Sequence, residues 1–405
     1  MVSAEGARGR RPLDGIRVLE VGQLLAGPFA GTILGAFGAE VIKVEPPGGD
    51  PIRTWRVVED GTSLWWRSLA RDKRSIAIDL RKDEGRALLR RMALASDVLI
   101  ENFKPGTMEG WGLGPDALRA ENGRLVYVRV SGYGQTGPRA SQPGFAAVAE
   151  AMAGLRSVTG FPDRAPARAN VSLGDTLAGI HAAMGAVLAL YDRDRGDRGS
   201  AVGQVIDVAL TESVLSVLEA MIPEADRGHV RERAGTTVTG IVPSNTYGCR
   251  DGRWVVIGAN NESLFVRLME AIGRDDLARD PGLRGNPARV ARQREIDDAI
   301  GAWTGARDAE EVVRVLERAS VPAGAIQDAG DLLRDPQLAA RDAIWRVEVN
   351  GKPLAIPGVF PRLSETPSRT ETAGPELGEH TDEVLRELGM AEEEIVRLRA
   401  SGITR

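Results

Sequence analysis

The stretch IRVLEVGQLLAGPFAGTILGAFGAEVIKVEPPGG, residues 16–49, decides the fold class. Residues 16–21 form a short apolar run that is typical of a buried strand, and residues 40–45 form a second such run. Between them, residues 27–39 are rich in small residues and predict a closely packed helix, and PPGG ends the second strand. A strand, a helix and a strand in this order predict a parallel βαβ unit.

The same alternation continues through the first 210 residues. Residues 82–95 are amphipathic and predict a helix. Four further strands are predicted, at SIAIDL (75–80), DVLIEN (97–102), LVYVRVSG (125–132) and QVIDVAL (204–210). The sequence therefore predicts an α/β fold with a mostly parallel sheet and helices on both faces.

The character of the chain changes after residue 222. Residues 223–240 are polar and rich in glycine and threonine, which predicts a linker or mobile loop. A second, small α+β unit follows. It begins with a hairpin that turns at Asp251-Gly252 and continues with helices near 262–273, 287–304 and 308–319. A later hairpin, at 345–358, turns at Asn350-Gly351, and the charged tail after it is helical.

Composition excludes several classes of protein. A chain of 405 residues is longer than a single hydrophobic core usually accommodates, so two domains are expected. A net charge of −5 argues against a dedicated nucleic-acid binder. A single cysteine and three histidines allow no disulfide framework and make a zinc site improbable, so no metal is expected. The polar, arginine-rich start and the lack of a long apolar run predict a cytoplasmic protein without a signal peptide or membrane span.

Common nucleotide and hydrolase motifs do not fit. The glycines of the first βα turn, Gly22, Gly27 and Gly31, lack the spacing of a nicotinamide-binding fingerprint. No P-loop and no G-x-S-x-G elbow is present. Two polar stretches remain, residues 71–82 and 101–114, both at strands of the predicted sheet. Their basic and aromatic residues suit phosphates and a nucleobase. A solvated face and an ordinary turn with a core aromatic are the alternatives.

A carboxylate opens the apolar run SLGDTLAGIH at residues 172–181. Asp175 there fits a helix cap, because aspartate oxygens accept the N–H groups of a first turn. It also fits a reactive carboxylate. The spacing alone leaves both interpretations open.

From residue 12 to the C-terminus, seven stretches of the chain resemble the class III CoA-transferases, the group that contains the formyl-CoA and carnitine CoA-transferases. The stretches occur in the same order as in that family. The segments RAGTTVTGIVPSNTY and SLARDKRSIAIDL are most similar to those of family members that use dicarboxylates. The matching stretches are PLDGIRVLEVGQLLAGPFAGTILGAFGAEVIKVEPPGGDPIR, RDKRSIAIDL, DVLIENFKPGTMEGWGLG, VSGYGQTGP, SLGDTLAGIHAAMGAVLALYDR, GQVIDVAL and PELGEHTDEVLRELG.

The resemblance implies a specific architecture. A Rossmann-like large domain would comprise residues 1–222 and the linker and C-terminal return at 326–405, with a linker at 223–244 and a small α+β domain at 245–325. Two monomers would thread through each other as an interlocked, ring-like dimer. The second monomer would be an identical chain or a closely related one.

The resemblance also implies the chemistry. Asp175 would be the nucleophile that forms an acyl anhydride and then an enzyme–CoA thioester, with no cofactor beyond the CoA thioester substrate. Gly174 would let the thioester approach the backbone. The substrates would be an acyl-CoA, expected to be succinyl-CoA, and a dicarboxylate such as malate, citramalate or mesaconate. Arg168, Arg231 and Arg233 are candidates for binding the distal carboxylate.

A CoA site and a substrate loop follow from the same resemblance. Thr239 and Gly240 would lie in the loop over the acyl group. Two alternatives remain: an α-methylacyl-CoA racemase, which needs a His/Asp pair, and a non-catalytic acyl-CoA-binding subunit. The implied CoA-contacting residues are Gln23, Leu25, Ala26, Lys73, Arg74, Leu80, Arg81, Asn102, Phe103 and Lys104.

Overall fold

The structure, a computed structural model, describes residues 9–405, so the polar segment at residues 1–8 lies outside the described residues. Two compact units divide the chain. The first contains the described residues up to Leu155, together with Ala169–Leu218 and Ala339–Arg405. The second contains Arg156–Arg168 and Glu219–Leu338. The first unit is therefore discontinuous, and the second includes a segment, Arg156–Arg168, that the sequence boundaries assign to the large domain.

The strands of the described chain are short. In chain order they are β1 (Arg17–Glu20), β2 (Glu40–Glu45), β3 (Val58–Glu59), β4 (Thr62–Ser63), β5 (Lys73–Ala77), β6 (Val98–Glu101), β7 (Val126–Ser131), β8 (Val205–Ala209), β9 (Ser244–Gly248), β10 (Trp254–Gly258), β11 (Ala323–Ala325), β12 (Ile344–Val349) and β13 (Lys352–Pro357).

The helices alternate with these strands. They are α1 (Ala26–Ala36), α2 (Leu64–Leu69), α3 (Asp83–Leu94), α4 (Thr107–Gly110), α5 (Pro115–Glu121), α6 (Ala146–Met152), α7 (Leu173–Asp194), α8 (Leu210–Leu215), α9 (Met221–Asp226), α10 (Glu262–Ala271), α11 (Asp275–Ala278), α12 (Asn286–Ala291), α13 (Gln293–Gly305), α14 (Ala309–Arg318), α15 (Ala329–Leu332), α16 (Pro336–Ala340), α17 (Thr381–Glu387) and α18 (Glu392–Ala400).

Six strands of the first unit form one parallel sheet in the order β5-β2-β1-β6-β7-β8. This confirms the predicted α/β fold and its parallel sheet. The chain order reverses at β1, which pairs with β2 on one side and with β6 on the other. Ligands of open α/β sheets bind beyond the carboxyl ends of the strands at such a switch point. The turns that follow β1 and β6 are therefore where a site is expected.

Both faces of the sheet are covered, because adjacent residues of each strand point to opposite sides. Leu19 of β1 belongs to an apolar cluster that includes residues of α3, α17 and α18, whereas its neighbour Val18 belongs to a cluster that includes residues of α1 and α7. Strands buried on both faces have continuous apolar runs rather than alternating ones. This is why the strands could be identified from short runs of valine, leucine and isoleucine.

Small residues let α1 and α7 approach each other closely. A Cβ atom at Gly179 of α7 would lie 2.8 Å from the carbonyl oxygen of Ala26 and 3.0 Å from Cβ of Phe29. Gly179 therefore fixes the distance between α7 and the first turn of α1. Gly179 is also one helical turn after Asp175, so both lie on the same face of α7.

The second unit has a three-stranded antiparallel sheet in the order β11-β10-β9. Two predictions there need correction. The helix expected at 287–304 is broken at Arg292, whose ψ is 27°, into α12 and α13. The expected linker at 223–240 begins inside α9, and Arg231 in it is paired with Glu224.

The hairpin formed by β12 and β13 is confirmed. Asn350 and Gly351 both have positive φ, 50° and 75°, as a tight two-residue hairpin turn requires. Among the described residues, α7 is long and apolar enough to span a membrane by length and composition, with 44% of its most apolar window buried inside the protein. A core helix of a globular protein meets the same criterion.

Candidate active site

Asp175 lies in the first turn of α7 but is not its N-cap. Ser172 occupies the N-cap position and makes no side-chain capping hydrogen bond, so Asp175 is the third residue of the helix. Its side chain is half-buried. A carboxylate at this position is stabilised by the positive end of the helix dipole without being the cap. The interpretation of Asp175 as the helix cap therefore needs correction. Asp175 is instead a carboxylate within the first turn of α7.

Gly174 is held against α6. A Cβ atom there would lie 3.2 Å from Cβ of Ala146, and its N–H is 3.4 Å from Oε1 of the buried Glu150. The side of Gly174 on which a Cβ atom would lie faces Ala146, and its role in admitting a thioester stays a prediction. The absence of a side chain at Gly174 allows this close contact between α6 and α7.

The first βα turn is clamped by the turn that follows β6. The side chain of Asn102 accepts a hydrogen bond from the N–H of Gln23 at 2.7 Å and donates one to its carbonyl oxygen at 2.8 Å. A Cβ atom at Gly22 would lie 2.5 Å from Oδ1 of Asn102, so only glycine fits there. Leu24 has a φ of 63°, a left-handed conformation that such contacts must hold in place.

Replacing Asn102 with alanine is expected to lower the rate of CoA transfer roughly 10- to 100-fold, because the Gln23 turn would lose its clamp. The free energy of unfolding should fall by about 1–3 kcal/mol. Enzyme kinetics and denaturant-induced unfolding measure the two effects.

The matched control is Asn122→Ala. The side-chain amide of Asn122 also bonds backbone groups, the carbonyl oxygens of Leu94 and Ser96, but it lies between α5 and β7. It should lower stability and leave the kinetic constants near those of the wild type. Equal rate losses in both variants would mean that Asn102 has no special role in the site.

A buried cluster of charged side chains also contacts the first βα turn. Lys43 Nζ lies 3.2 Å from Glu20 Oε1 and 3.0 Å from Asp50 Oδ2, and it donates a hydrogen bond to the carbonyl oxygen of Gly22. Asp50 in turn accepts from the N–H of Leu24. Burial alone would lower the pKa of Lys43, but Asp50 and Glu20 raise it. The ammonium is thus fixed as a cation at the base of the turn.

A pocket of about 320 Å³ lies at the carboxyl ends of β1, β2, β5 and β6. Gln23, Leu80, Arg81 and Phe103 meet there, although they are up to 80 positions apart in the sequence. The whole lining is Val21, Gln23, Val44, Glu45, Pro46, Pro47, Gly48, Ile78, Asp79, Leu80, Arg81, Phe103 and Trp111.

The pocket combines an aromatic wall with an exposed cation. Phe103 and Trp111 pack edge to face with ring centroids 5.3 Å apart, which offers a surface for a purine. Arg81 is largely exposed, and its hydrogen bonds lower the pKa of Asp79 to about 2. Trp111 and Asp79 were missed as site residues, although Trp111 lies within the 101–114 stretch. Lys104 is exposed beside Phe103.

Lys73 and Arg74 do not lie at this pocket. Lys73 is buried and pairs with Glu20 at 2.8 Å, and burial lowers its pKa to about 8. Arg74 is paired with Glu387 at 2.8 Å and also with Glu40. Both stand at the start of β5, the opposite end from the pocket. Their expected role as phosphate ligands therefore needs correction. Leu25 and Ala26 are buried and shape the turn.

The proposed substrate loop belongs to the second unit. Thr239 and Gly240 are exposed and line a pocket of about 480 Å³ in that unit with Arg231 and Arg233. Arg231 is already bound to two carboxylates, Glu224 at 2.6 Å and Glu219 at 3.1 Å. It is therefore a poor candidate for a substrate carboxylate. In the part of the chain that the structure describes, no group of three or more metal-ligating side chains could hold a metal ion.

Comparisons with proteins of known sequence and structure found close matches along nearly the whole chain. A sequence profile described as CoA-transferase family III matches residues 13–381. The chain is 47% identical over 401 residues to the succinyl-CoA–D-citramalate CoA-transferase of Chloroflexus aurantiacus, covering 98% of this chain and 99% of that protein. It is 42% identical over 400 residues to the alpha subunit of the succinyl-CoA–L-malate CoA-transferase of the same organism, covering 97% and 92%. A solved CAIB/BAIF family protein from Brucella suis has a TM-score of 0.83 at 33% identity, covering 94% and 100%.

Proposed function

We propose, from the premise that this chain belongs to CoA-transferase family III, that its donor is succinyl-CoA and its acceptor is citramalate, malate or mesaconate. The protein is a CoA-transferase that moves CoA between dicarboxylic acids. The observation that carries the proposed donor and acceptors is the 47% identity, along nearly the whole chain, to a succinyl-CoA–D-citramalate CoA-transferase.

The proposed mechanism uses Asp175 as a nucleophile. One carboxylate oxygen attacks the thioester carbonyl, the C–S bond breaks, and an aspartyl acyl anhydride and CoA thiolate form. The thiolate attacks the aspartyl carbonyl, which releases the donor acid and leaves an aspartyl–CoA thioester. The acceptor carboxylate attacks that thioester and releases the thiolate, which then attacks the acceptor carbonyl. The products are the new acyl-CoA and the original carboxylate of Asp175.

The arrangement of α1 and α7 supports this proposal. Gly179 contacts the carbonyl of Ala26, and Asp175 is one turn earlier on the same face of α7. The first turn of α7 is therefore next to the βα turn whose Gln23 lines the 320 Å³ pocket. CoA bound in that pocket by its nucleotide would extend its thiol end toward Asp175. Excluding water there protects the anhydride and the thioester from hydrolysis.

A substrate panel tests the proposed specificity. With succinyl-CoA as donor, CoA transfer to citramalate, malate, mesaconate and glutarate is compared with transfer to oxalate, carnitine and aryl acids. We expect activity with the first group, observed as new CoA esters by liquid chromatography. Activity only with the second group would reject the proposed donor and acceptors.

We infer that the enzyme is a soluble, cytoplasmic dimer whose monomers interlock, formed with an identical or a closely related chain. An apolar stripe on α7 supports a partner chain, because large exposed apolar surfaces mark interaction sites. Leu188 is 59% exposed and Tyr191 66% exposed. The stripe consists of Ile180, Met184, Val187, Leu188 and Tyr191.

Light scattering coupled to size exclusion is expected to give twice the mass of the 43.3 kDa chain. Leu188→Glu should weaken this dimer, because it places a charge in the apolar stripe. The exposed Val396→Glu, on α18, is the control and should leave the mass unchanged. A monomeric wild-type protein would contradict the inference.

A further inference from the structure

A second pocket of the first unit, of about 260 Å³, adjoins the start of α7. Ser172 and Thr176, which flank Asp175 in the first turn, form part of its wall. The remaining lining residues are Leu25, Phe29, Thr32, Arg56, Trp65, Ser68, Leu69, Arg71, Val171 and Pro357. This pocket is separate from the one lined by Gln23 and Arg81.

The wall of this pocket is mostly apolar, yet it contains two arginines and no carboxylate. Arg56 is exposed at the rim, with its guanidinium carbon 4.4 Å from the ring centroid of Trp65. Arg71 is only 4% exposed. The pocket therefore has a buried positive charge and a second, solvated one.

Arg71 has an unusual set of contacts for a buried arginine. Its Nη1 donates to the carbonyl oxygen of Pro357 at 2.5 Å, whereas its Nε has no hydrogen-bond partner within residues 9–405. Within residues 9–405 it forms no direct salt bridge, although the nearby charge of Asp72 favours its cationic form. The adjacent Asp72 instead accepts from the N–H groups of Glu371 and Thr372 through Oδ1.

Burial without an anion is costly for a guanidinium. Desolvation outweighs the charge of the adjacent Asp72 and lowers the pKa of Arg71 to about 10, so the side chain is still a cation at neutral pH. A buried charge is normally paired, and a buried polar group that lacks its partner requires an explanation. A carboxylate ligand bound in this pocket would supply both the anion and the missing acceptor.

We propose that Arg71 binds the distal carboxylate of the dicarboxylate substrate and thereby selects diacids over monoacids. The apolar wall formed by Leu25, Phe29 and Trp65 would hold the carbon chain between the two carboxylates. The proximal carboxyl carbon would then lie at the first turn of α7, near Asp175. This inference rests on CoA transfer between dicarboxylates, and it assigns to Arg71 a role that Arg231 cannot fill because of its own carboxylate partners.

The test compares succinate with its half-amide, succinamate, as CoA acceptors, with citramalyl-CoA as the donor, because transfer from succinyl-CoA to succinate gives no net change. The two acids differ only in that the distal carboxylate of one is a neutral amide in the other. The wild-type enzyme should prefer succinate, as the ratio of kcat/KM values measures. Arg71→Gln should reduce kcat/KM for succinate roughly 100-fold while changing that for succinamate little, so the preference is lost. Arg71→Lys should restore part of it.

Arg119→Gln is the matched control. Like Arg71, Arg119 donates to one backbone carbonyl, that of Gly203, and its Nε has no hydrogen-bond partner within residues 9–405, but it lies on α5. Its replacement should leave the succinate preference unchanged. Melting curves of all variants identify any that do not fold, and Arg71→Lys provides the readout if Arg71→Gln is one of them.

Three outcomes would overturn the proposal. An unchanged preference for succinate in a folded Arg71→Gln enzyme would mean that the guanidinium does not contact the substrate. An equal rise in KM for CoA with both acids would place it at the CoA phosphates instead. A change of oligomeric state with the preference intact would show that its missing anion comes from a partner chain. Dicarboxylate transfer by the wild-type enzyme would stand in each case.

Discussion

Asp175→Ala is expected to abolish CoA transfer while leaving CoA binding intact. The substitution removes the oxygen that attacks the thioester, and no other residue would replace it as a covalent carrier. The rate should fall by at least about 10⁴-fold, as for other catalytic nucleophiles. Transfer is measured by chromatography of the CoA esters, and CoA binding by calorimetry. Binding should survive because the Gln23 pocket is formed by other elements.

Two further variants distinguish catalysis from helix stabilisation. Asp175→Asn keeps an oxygen acceptor at the start of α7 but is not a nucleophile, so its loss of rate should match that of the alanine variant. Asp192→Ala, near the other end of the same helix, should transfer CoA at the wild-type rate. Hydroxylamine trapping followed by tandem mass spectrometry should place a hydroxamate on Asp175. An Asp175→Asn enzyme with near wild-type activity would exclude the covalent mechanism.

The parallel sheet could be predicted because its signal is local. Each strand is a short apolar run buried on both faces, and the turns between elements contain glycine, proline or a polar cluster. The hairpin at Asn350-Gly351 was predictable for a similar reason, since two adjacent residues determine its turn. In both cases a few neighbouring residues hold all the information that the prediction uses.

The roles of individual charged residues could not be predicted in this way. Within the basic run of residues 71–82, the sequence does not distinguish the start of β5 from its carboxyl end. Lys73 therefore looked like a phosphate ligand, although it is buried against Glu20, which is 53 positions away. Arg71, two residues earlier, begins the same basic run, but its place in the pocket beside α7 and its unbonded Nε depend on contacts that the sequence does not reveal.

The boundary of the second unit could not be predicted either. Arg156–Arg168 belongs to that unit because of contacts such as the bridge between Gly160 and Gly235. Such a pairing joins residues that are far apart in the chain, and neither has a side chain that would indicate a partner. Similarly, the cap interpretation of Asp175 depended on where α7 starts, and helix ends are uncertain by one or two residues.

Lys43→Met is expected to destabilise the protein by about 3–5 kcal/mol, because it removes the cation that pairs with the buried Asp50 and one of the two cations, Lys43 and Lys73, that pair with the buried Glu20. Glu20 and Asp50 are both almost fully buried, and Lys43 lies between them. Methionine has a similar length, so the loss would report the charge rather than a cavity. The midpoint of denaturant-induced unfolding measures it.

The control for Lys43→Met is Lys352→Met, because Lys352 is exposed on β13 and has no buried partner within residues 9–405. That variant should unfold like the wild type. Lys43→Met should also transfer CoA more slowly, since Lys43 holds the carbonyl of Gly22 and Asp50 holds the N–H of Leu24. A stable Lys43→Met enzyme would mean that the two carboxylates take up protons at little cost. A destabilised but fully active Lys43→Met enzyme would mean that Asn102 alone is sufficient to hold the Gln23 turn. The stability and the rate of this variant therefore report separately what the ionic cluster contributes to the fold and what it contributes to the site.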